Sequence, residues 1–324
     1  MTSPAPADLC PSDPNATETL TAVPLPLESL PPLPPLNLAV VGHVEMVSFV
    51  EVAQLPPAGS ITAAKAFHQC PAGGGAVVAA QLARLTGQKV HFFTALGRDA
   101  IGEQAASELT AIGLELHVAW REAPTRQAIT FVDGDGERTI TVIGERLAAN
   151  GGDTLPWESL SHCDGVFVTA ADAAALKQAR RAKVLTATPR TRLGVLQEAG
   201  VRLDALIGSA LDPAETYRDG DLNPPPTLVI RTEGPRGGQV SPGGRFLAPQ
   251  RERPVADTYG AGDSFAAGVT AALAAQWPLA AAISLGCHCG AACLDGRGPY
   301  RGQLRLAESG EAWVLGLGAG SGNG

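Results

Sequence analysis

Short apolar runs that alternate with helix-like stretches are the feature that most constrains the fold of this chain. The runs at 36–42, 90–96 and 165–169 are rich in Leu, Val and Phe, as buried strands are. Between such runs, apolar residues recur at helical spacing, as over 76–85 and 101–112. Strands that alternate with helices at this spacing predict a parallel sheet with right-handed crossovers.

Length, charge and cysteine content limit the function classes. The chain has 324 residues and 45% hydrophobic residues, enough for one large α/β domain or two small ones. Its net charge of −8 argues against nucleic acid as a partner. No stretch is apolar enough to cross a bilayer, and the N-terminus lacks a secretory leader. With six scattered cysteines, we expect a cytoplasmic protein with reduced thiols and no membrane partner.

Composition also divides the chain into segments. Residues 1–36 are rich in Pro, Ser, Thr and Ala, which predicts a disordered or extended tail. Residues 318–324 are rich in Gly, which predicts a flexible end. The stretch 37–317 is therefore the expected folded domain.

One string carries the chemistry. In the segment 256–268, Gly260, Ala261 and Gly262 form a small-residue turn, and Asp263 follows in the first turn of a predicted helix. Small residues let the backbone approach a ligand, and the first N–H groups of a helix bind anions. An anion cradle beside a carboxylate suits phosphoryl transfer, although a tight turn with an acidic first helical turn would look the same.

Two motifs resemble signatures of one family. Asp-Thr-x-Gly-Ala-Gly-Asp followed by Phe-x-x-Gly, at 257–268, resembles the C-terminal signature of the ribokinase-like (PfkB) carbohydrate kinases. The family's N-terminal signature is a double glycine that opens a helix, then a strand and Gly-x-Asp-x-x-Gly. It is matched by Gly73, Gly74 and 97–102. The resemblance extends from about 38 to about 312.

The resemblance implies a fold. Members have a doubly wound, mainly parallel sheet with helices on both faces, plus a small β-sheet lid. Two segments match the lid, at about 44–70 and about 126–143. In the second, an Asp-Gly pair between alternating runs predicts a hairpin independently of the resemblance. A strand-rich excursion including 60–62 is expected in the first.

The resemblance also implies catalytic and nucleotide-binding roles. Asp263 would be the base that takes the proton of the sugar hydroxyl, and Gly260, Ala261 and Gly262 would form the anion hole. ATP would be the phosphoryl donor. The residues implied to contact ATP are Thr232, Gly234 and Gly237 at its phosphates and Cys287 at its adenine.

Cys287 belongs to a cluster with an alternative interpretation. Together with His288, Cys289 and Cys293 it would make a metal site. The spacing is not that of paired C-x-x-C ligands, and Cys287 and Cys289 face different sides of a helix. Buried helix cysteines are therefore the expectation.

Metal ions are implied with ATP. Mg²⁺ is expected because a cation must bridge the phosphates. The family's Asn-x-x-Glu motif, which supports Mg²⁺, is reduced here to 209–212, in which Asp212 keeps the carboxylate. Glu215 is an alternative substitute, and both residues could simply cap the following helix. Asp257 and the loop 296–299 align with segments that hold a monovalent cation such as K⁺ in some members.

The sugar-binding positions depart most from the family. Glu45 stands where ribokinase-type members have Asn, and Val77 replaces a sugar-contacting Asn. Ribose is therefore not assumed as the substrate. The candidate substrate contacts are Glu45, Gly73, Gly74, Arg126 and Asp172. If Arg126 points inward, an acidic or phosphorylated sugar becomes the better acceptor, since guanidinium binds such anions.

The expected function is ATP-dependent phosphorylation of a hydroxyl on a small sugar or sugar acid. One alternative is a nucleoside kinase of the same family, with Phe49 or Phe67 stacking on the base. Another is a catalytically weak sugar- or nucleotide-binding regulatory protein. The lid sheet could also serve as a homodimer interface, though a monomer is equally consistent with the sequence.

Overall fold

A computed structural model describes residues 23–134, 137–307 and 312–314. Within these ranges the chain forms a nine-stranded sheet, a four-stranded sheet and a two-stranded sheet. The predicted tail at 1–22 and the Gly-rich end at 318–324 lie outside the described residues.

The strands of the described ranges are numbered in chain order. They are β1 (Leu38–Val41), β2 (Glu45–Glu51), β3 (Ala66–Ala72), β4 (Val90–Gly97), β5 (Leu114–Arg121), β6 (Gln127–Val132), β7 (Arg138–Ile143), β8 (Gly165–Val168), β9 (Val184–Ala187), β10 (Ala205–Ser209), β11 (Leu228–Thr232), β12 (Gly238–Ser241), β13 (Gly244–Phe246), β14 (Arg305–Leu306) and β15 (Trp313–Val314).

The α-helices are numbered in the same way. They are α1 (Gly74–Thr86), α2 (Ala100–Ala111), α3 (Ala173–Ala179), α4 (Leu193–Ala199), α5 (Ala261–Ala274), α6 (Leu279–Cys293) and α7 (Gly298–Arg301). Short 3₁₀ turns are interspersed, including Pro189–Thr191 after β9 and Pro213–Glu215 after β10.

The large sheet has the strand order β13-β12-β11-β10-β9-β8-β1-β4-β5. The strands from β11 to β5 pair in parallel, while β12 and β13 are antiparallel at one edge. From β1 the chain first extends the sheet through β4 and β5, then returns to β8 on the other side. The strand order therefore reverses at β1, and ligands of such sheets bind beyond the carboxyl ends of the strands at the reversal.

Each face of the large sheet has its own apolar core. Successive side chains of a strand point to opposite faces, so Leu38 and Val40 of β1 join one core while Ala39 and Val41 join the other. The first core includes buried residues of α1, α5 and α6, and the second includes those of α3 and α4. Helices on both faces confirm the doubly wound α/β fold.

Helix ends follow local sequence rules. Asp99 caps α2 by accepting a hydrogen bond from Gly102 N at 2.7 Å. Gly87 ends α1 at φ 65° and donates to Ala83 O at 2.8 Å, a left-handed termination that glycine favours.

The four-stranded sheet is the predicted lid. Its order is β3-β2-β6-β7, so the two chain segments meet where β2 and β6 pair in parallel. One face packs on the large domain through a small cluster that includes Phe49, Val77 and Tyr259. The predicted strand at 60–62 is wrong, because these residues form an exposed loop and β3 begins only at Ala66.

The part of the Pro-rich segment that the structure describes packs on the domain. Residues 23–36 are mostly extended, and Leu30 and Leu36 are buried in the first core. Leu25 N donates to Ser284 Oγ at 2.9 Å, and Leu25 O lies 2.8 Å from His288 Nε2. This part of the segment is therefore ordered, because its leucines contribute apolar surface to the core. Its prolines do not.

None of the helices in the described ranges is long and apolar enough to cross a membrane.

Close backbone contact between α1 and the end of β1 requires glycine. A Cβ on Gly75 would lie 2.8 Å from His43 O and 2.8 Å from Gly42 C. We expect Gly75→Ala to lower the free energy of unfolding by about 1–3 kcal/mol, the usual cost of overpacking, when measured by urea denaturation.

The matched control is Gly194→Ala in α4. A Cβ on Gly194 would meet no atom within 4 Å, so this variant should be neutral or slightly stabilising. Equal stability of the two variants would contradict the assigned role of Gly75.

Candidate active site

The N-terminus of α5 offers free backbone donors. Gly260 precedes it in the left-handed conformation at φ 81°, and Ser264 N donates to Gly260 O at 2.8 Å. In the described part of the chain, the N–H groups of Gly262 and Asp263 have no hydrogen-bond acceptor. Gly262 is exposed, and a Cβ there would meet no atom within 4 Å. The predicted anion hole is therefore open, with its donors unpaired.

Asp263 stands beside this opening. Its carboxylate has no hydrogen-bond partner among the described residues and lies against the first turn of α1, where a Cβ on Gly74 would be 3.0 Å from Asp263 Oδ1. Burial raises the pKa of the Asp263 carboxyl to about 6. Arg190 and Arg138 lower this pKa, whereas Glu215 and Glu45 raise it.

The double glycine makes room for this arrangement. Gly73 has φ 87°, and a Cβ on it would lie 3.1 Å from the His43 ring. A Cβ on Gly74 would touch both Asp263 and Thr169, which follows β8. The structure thus brings together the two signatures that the sequence holds almost 200 residues apart.

Glu45 and Arg126 meet at the base of the lid. Arg126 Nε lies 2.9 Å from Glu45 Oε2, and both side chains are largely buried. Arg126 Nε is buried and has no hydrogen-bond partner among the described residues, so its contact with Glu45 is one between two charges. Tyr259 Oη is 3.5 Å from Glu45 Oε1. Arg126 does point inward, beside the predicted acidic contact.

The carboxylates that follow β10 are held by an arginine. Arg190, in the turn after β9, forms ion pairs with both Asp212 and Glu215. Asp212 also caps the short turn that follows it, accepting from Ala214 N at 2.9 Å. Glu215 Oε2 accepts from Ser209 N at 2.7 Å. Both candidates for Mg²⁺ support therefore lie together, and the single positive charge of Arg190 offsets only part of their negative charge.

The predicted nucleotide loop lies at the carboxyl end of β11. Thr232 ends that strand, and its hydroxyl is 3.4 Å from Gly208 O of β10. Gly234 and Gly237 both have positive φ, and a Cβ on Gly237 would be 2.1 Å from Phe246 O. The conformation of this turn therefore accounts for both glycines, independently of any contact with a nucleotide.

Cys287 is buried on α6, and its thiol lies 3.8 Å from Leu247 O. Burial raises its pKa to about 12. Cys293 on the same helix instead contacts Tyr259 O at 3.2 Å, and His288 contacts the N-terminal segment. Separate partners of this kind fit buried helix cysteines.

Two further candidates are engaged by backbone groups. Asp257 is buried, and its two carboxylate oxygens accept from Tyr259 N at 2.9 Å and Gly298 N at 2.8 Å. Asp257 thus ties α5 to the loop predicted to hold a cation. Asp172 caps α3 by accepting from Ala175 N at 2.7 Å, and the same oxygen accepts from Gly151 N at 2.9 Å. Their roles toward a cation and a substrate stay predictions.

Sequence reasoning missed four residues near the site. His43 follows β1 at the reversal of strand order and is buried, and burial followed by the charges of Arg146, Arg126 and Arg190 lowers its pKa to about 3. Arg146 and Arg192, together with Arg190, line a cavity between the lid base and the end of β9. The signal available was the pair Arg190 and Arg192 directly after a buried strand, a position where α/β sheets place ligand contacts.

Comparison with known proteins decides the family. The model of the pfkB family carbohydrate kinases matches residues 36–196 and 203–304. The chain belongs to the pfkB family of carbohydrate kinases. The ribokinase-like assignment made from the two signatures is confirmed, and with it membership in a family of ATP-dependent kinases.

Individual members of the pfkB family are only distantly similar. An ATP-dependent ribose-1-phosphate kinase from Halopiger xanaduensis is 28% identical over 268 residues, which cover 77% of this chain and 89% of that protein. Ribokinase from Thermotoga maritima superimposes with a TM-score of 0.68 at 18% identity, covering 83% of this chain and 96% of that one. Ribokinase from Arabidopsis thaliana, complexed with ribose and ATP, gives 0.63 at 21% identity, covering 83% and 95%. At these identities the solved structures establish the fold alone.

The site fits the ligands that a pfkB kinase uses. The free N–H groups before Asp263 suit a phosphoryl group. Mg²⁺ prefers one or two carboxylates and keeps several waters, and Asp212 and Glu215 offer oxygens of this type without forming a closed metal cage.

The raised pKa of Asp263 predicts a stability change that does not depend on activity. The pKa of this carboxyl is higher in the folded state than its ordinary value of 3.8, so the wild type loses stability as pH rises from about 4 to about 6. Asp263→Asn does not titrate. We expect it to exceed the wild type in unfolding free energy by on the order of 1–3 kcal/mol at pH 8, and to match it near pH 4.

The exposed Asp219, changed to Asn, is the matched control and should leave stability unchanged at both pH values. Urea denaturation measures all three proteins. A variant Asp263→Asn no more stable than wild type at pH 8 would contradict the raised pKa.

Proposed function

We propose that this chain phosphorylates a hydroxyl group of a small sugar or sugar acid, with ATP as donor and Asp263 as base. The observation that carries the proposal is the position of Asp263. Among the residues that the structure describes, this partly buried carboxylate has no hydrogen-bond partner, and the leading N–H groups of its helix are also unpaired. A proton acceptor and an anion hole therefore face the same space.

The chain's own groups would act as follows. With a pKa of about 6, Asp263 is ionised at neutral pH yet basic enough to take a hydroxyl proton as the oxygen attacks. The turn Gly260–Gly262 and the N–H groups of Gly262 and Asp263 would stabilise the charge of the transferring group. The lid would cover the site and exclude water.

Nucleotide and metal contacts are proposed on position. ATP supplies the phosphoryl group when bound, and Thr232, Gly234 and Gly237 at the end of β11, with Cys287 on α6, would contact it. Asp212 and Glu215 would support Mg²⁺. A K⁺ ion beside Asp257 is supported by the contact between Asp257 and the loop at 296–299.

The acceptor is proposed to lie between the lid base and α1. Gly74 lies against Asp263 there, Gly73 precedes it, and Glu45 and Arg126 pair at the lid base, whereas Asp172 is occupied as a helix cap. The names of the relatives, ribokinase and ribose-1-phosphate kinase, point to a five-carbon sugar skeleton. They differ in whether the acceptor already bears a phosphate.

The nucleoside alternative has less support. Phe49 is 1% exposed and stacks on His68 at 4.7 Å between ring centroids, so it is not free to stack on a base. Phe67 is 65% exposed. A regulatory protein without catalysis would have no need of an unpaired buried carboxylate.

The direct test is ADP release from Mg-ATP across sugars, sugar acids, sugar phosphates and nucleosides. We expect one acceptor class to turn over and Asp263→Asn to lose at least about a hundredfold in kcat, as for removal of a general base. In the wild type, kcat/KM should rise with pH and level off above an apparent pKa near 6, since only the ionised carboxylate accepts a proton.

Asp219→Asn serves again as the control and should retain full activity. Unchanged turnover in Asp263→Asn would refute its role as base. ATP binding without turnover of any acceptor would instead favour the regulatory alternative.

A homodimer through the lid and a cytoplasmic location are proposed with this function. Phe67 and Ile143 are exposed on the lid face opposite Phe49, and apolar patches of this kind often mark interfaces. We expect a dimer in sedimentation equilibrium that Ile143→Glu dissociates. Val255→Glu, at an equally exposed site outside the lid, should leave the dimer intact, and a monomeric wild type would contradict the proposal.

A further inference from the structure

A cavity of about 910 Å³ lies between the lid base and the end of β9. Its lining includes four arginines, from the segment before β6, the segment after β7 and the turn after β9. They are Arg126, Arg146, Arg190 and Arg192, and the lining contains a single acidic residue, Glu145. So many guanidinium groups around one cavity repel each other unless an anion is present.

Two of these arginines are balanced within the protein. Arg126 faces Glu45, and Arg190 binds Asp212 and Glu215. Arg190 thereby belongs to the side of the cavity where the nucleotide phosphates are proposed. Arg126 belongs to the opposite side, at the base of the lid.

The other two have no carboxylate partner in the described part of the chain. Arg146 donates from Nη1 to the backbone oxygen of Arg190 at 3.0 Å, and no carboxylate lies within 4 Å of its guanidinium or that of Arg192. Burial and the charges of Arg126 and Arg190 lower the pKa of Arg146. Two positive groups are therefore held at the cavity without compensation.

The backbone at Arg192 is strained. Its φ is 76°, a left-handed conformation that side chains other than glycine seldom adopt. Strain of this kind persists mainly where a side chain must be aimed at a functional site.

Next to α1, His43 is 6% exposed, and its Nδ1 has no hydrogen-bond partner among the described residues. A neutral imidazole with a free nitrogen can bond to a hydroxyl without adding to the positive charge.

We infer that the acceptor of this kinase already carries a phosphate group, which Arg146 and Arg192 bind. This rests on the proposed kinase function and names its substrate class. Guanidinium groups pair with phosphate oxygens by parallel hydrogen bonds, which fixes the acceptor's orientation. A hydroxyl elsewhere on the sugar is then presented to Asp263.

The reaction would convert a sugar monophosphate and ATP into a sugar bisphosphate and ADP. The acceptor O–H bond breaks and its proton passes to Asp263. A new bond forms between that oxygen and the γ-phosphorus, and the bond from the γ-phosphorus to the β,γ-bridging oxygen breaks. A rival occupant of the arginine cavity is the γ-phosphate of ATP itself, which the test must separate from the acceptor.

The kinetic test compares sugars in matched pairs, with and without phosphate: ribose with ribose 1-phosphate and ribose 5-phosphate, and fructose and glucose with their monophosphates. We expect kcat/KM for one phosphorylated member to exceed that of its parent at least a hundredfold. Arg146→Gln and Arg192→Gln should each raise KM for that acceptor at least tenfold and leave KM for ATP within twofold. Arg146→Lys should fall between, since it keeps charge but loses the planar fork.

The matched control is Arg202→Gln, an exposed arginine outside the cavity, which should leave every constant unchanged. Equal or better use of unphosphorylated sugars or nucleosides would overturn the inference and leave the kinase function intact. A rise in KM for ATP alone in the Arg146 and Arg192 variants would overturn it in favour of the γ-phosphate.

A binding measurement separates failure of the inference from failure of the kinase function. Isothermal titration without ATP uses the same matched pairs. Tighter binding of a sugar phosphate than of its parent, lost in Arg146→Gln, would support the anion site even if no ADP is released. Absence of any such preference would overturn the inference.

Discussion

The site depends on close packing at three glycines, Gly42, Gly75 and Gly260. Gly42 ends β1 directly against Gly75 of α1, where neither position has room for a Cβ. Gly260 lies equally close to Val77 of α1, with 2.9 Å between a built Cβ and Val77 Cγ1. These contacts bring the start of α5 beside the start of α1. Because the spacing is set by backbone packing, Asp263 is positioned by rigid elements and not by its own hydrogen bonds.

Charged side chains lie on two sides of the Asp263 carboxylate. Arg190 pairs with Asp212 and Glu215 on one side, and Arg126 faces Glu45 on the other. Asp263 between them keeps no partner, and burial costs it stability as an ion. Such local destabilisation is common where a group must exchange a proton, because a satisfied carboxylate would be a poor base.

The sequence pattern predicted much of the fold, but it did not predict the cavity lined by arginines. Alternating runs and the two signatures predicted the parallel sheet, the lid and the start of α5. Strand β5 (114–121) was not identified, and a strand at 60–62 was expected where there is a loop. Arg146 and Arg190 are 44 positions apart and meet only because the lid base and the end of β9 converge. Periodicity reports which face of one element is buried, but it carries no information on which surface charges tertiary folding will gather.

Two ion pairs of the lid have very different surroundings, one within its base and one between its far end and the large domain. Glu45 and Arg126 at its base are 11% and 15% exposed, whereas Arg297, which pairs with Glu51 at the far end of β2, is 59% exposed. Seven residues of strand, roughly 20 Å, separate the two pairs. The outer pair contributes less than about 1 kcal/mol and is screened by salt, while the inner pair is costly to separate. We therefore expect raised ionic strength to release the far end of the lid from Arg297, while the base of the lid beside Asp263 stays in place.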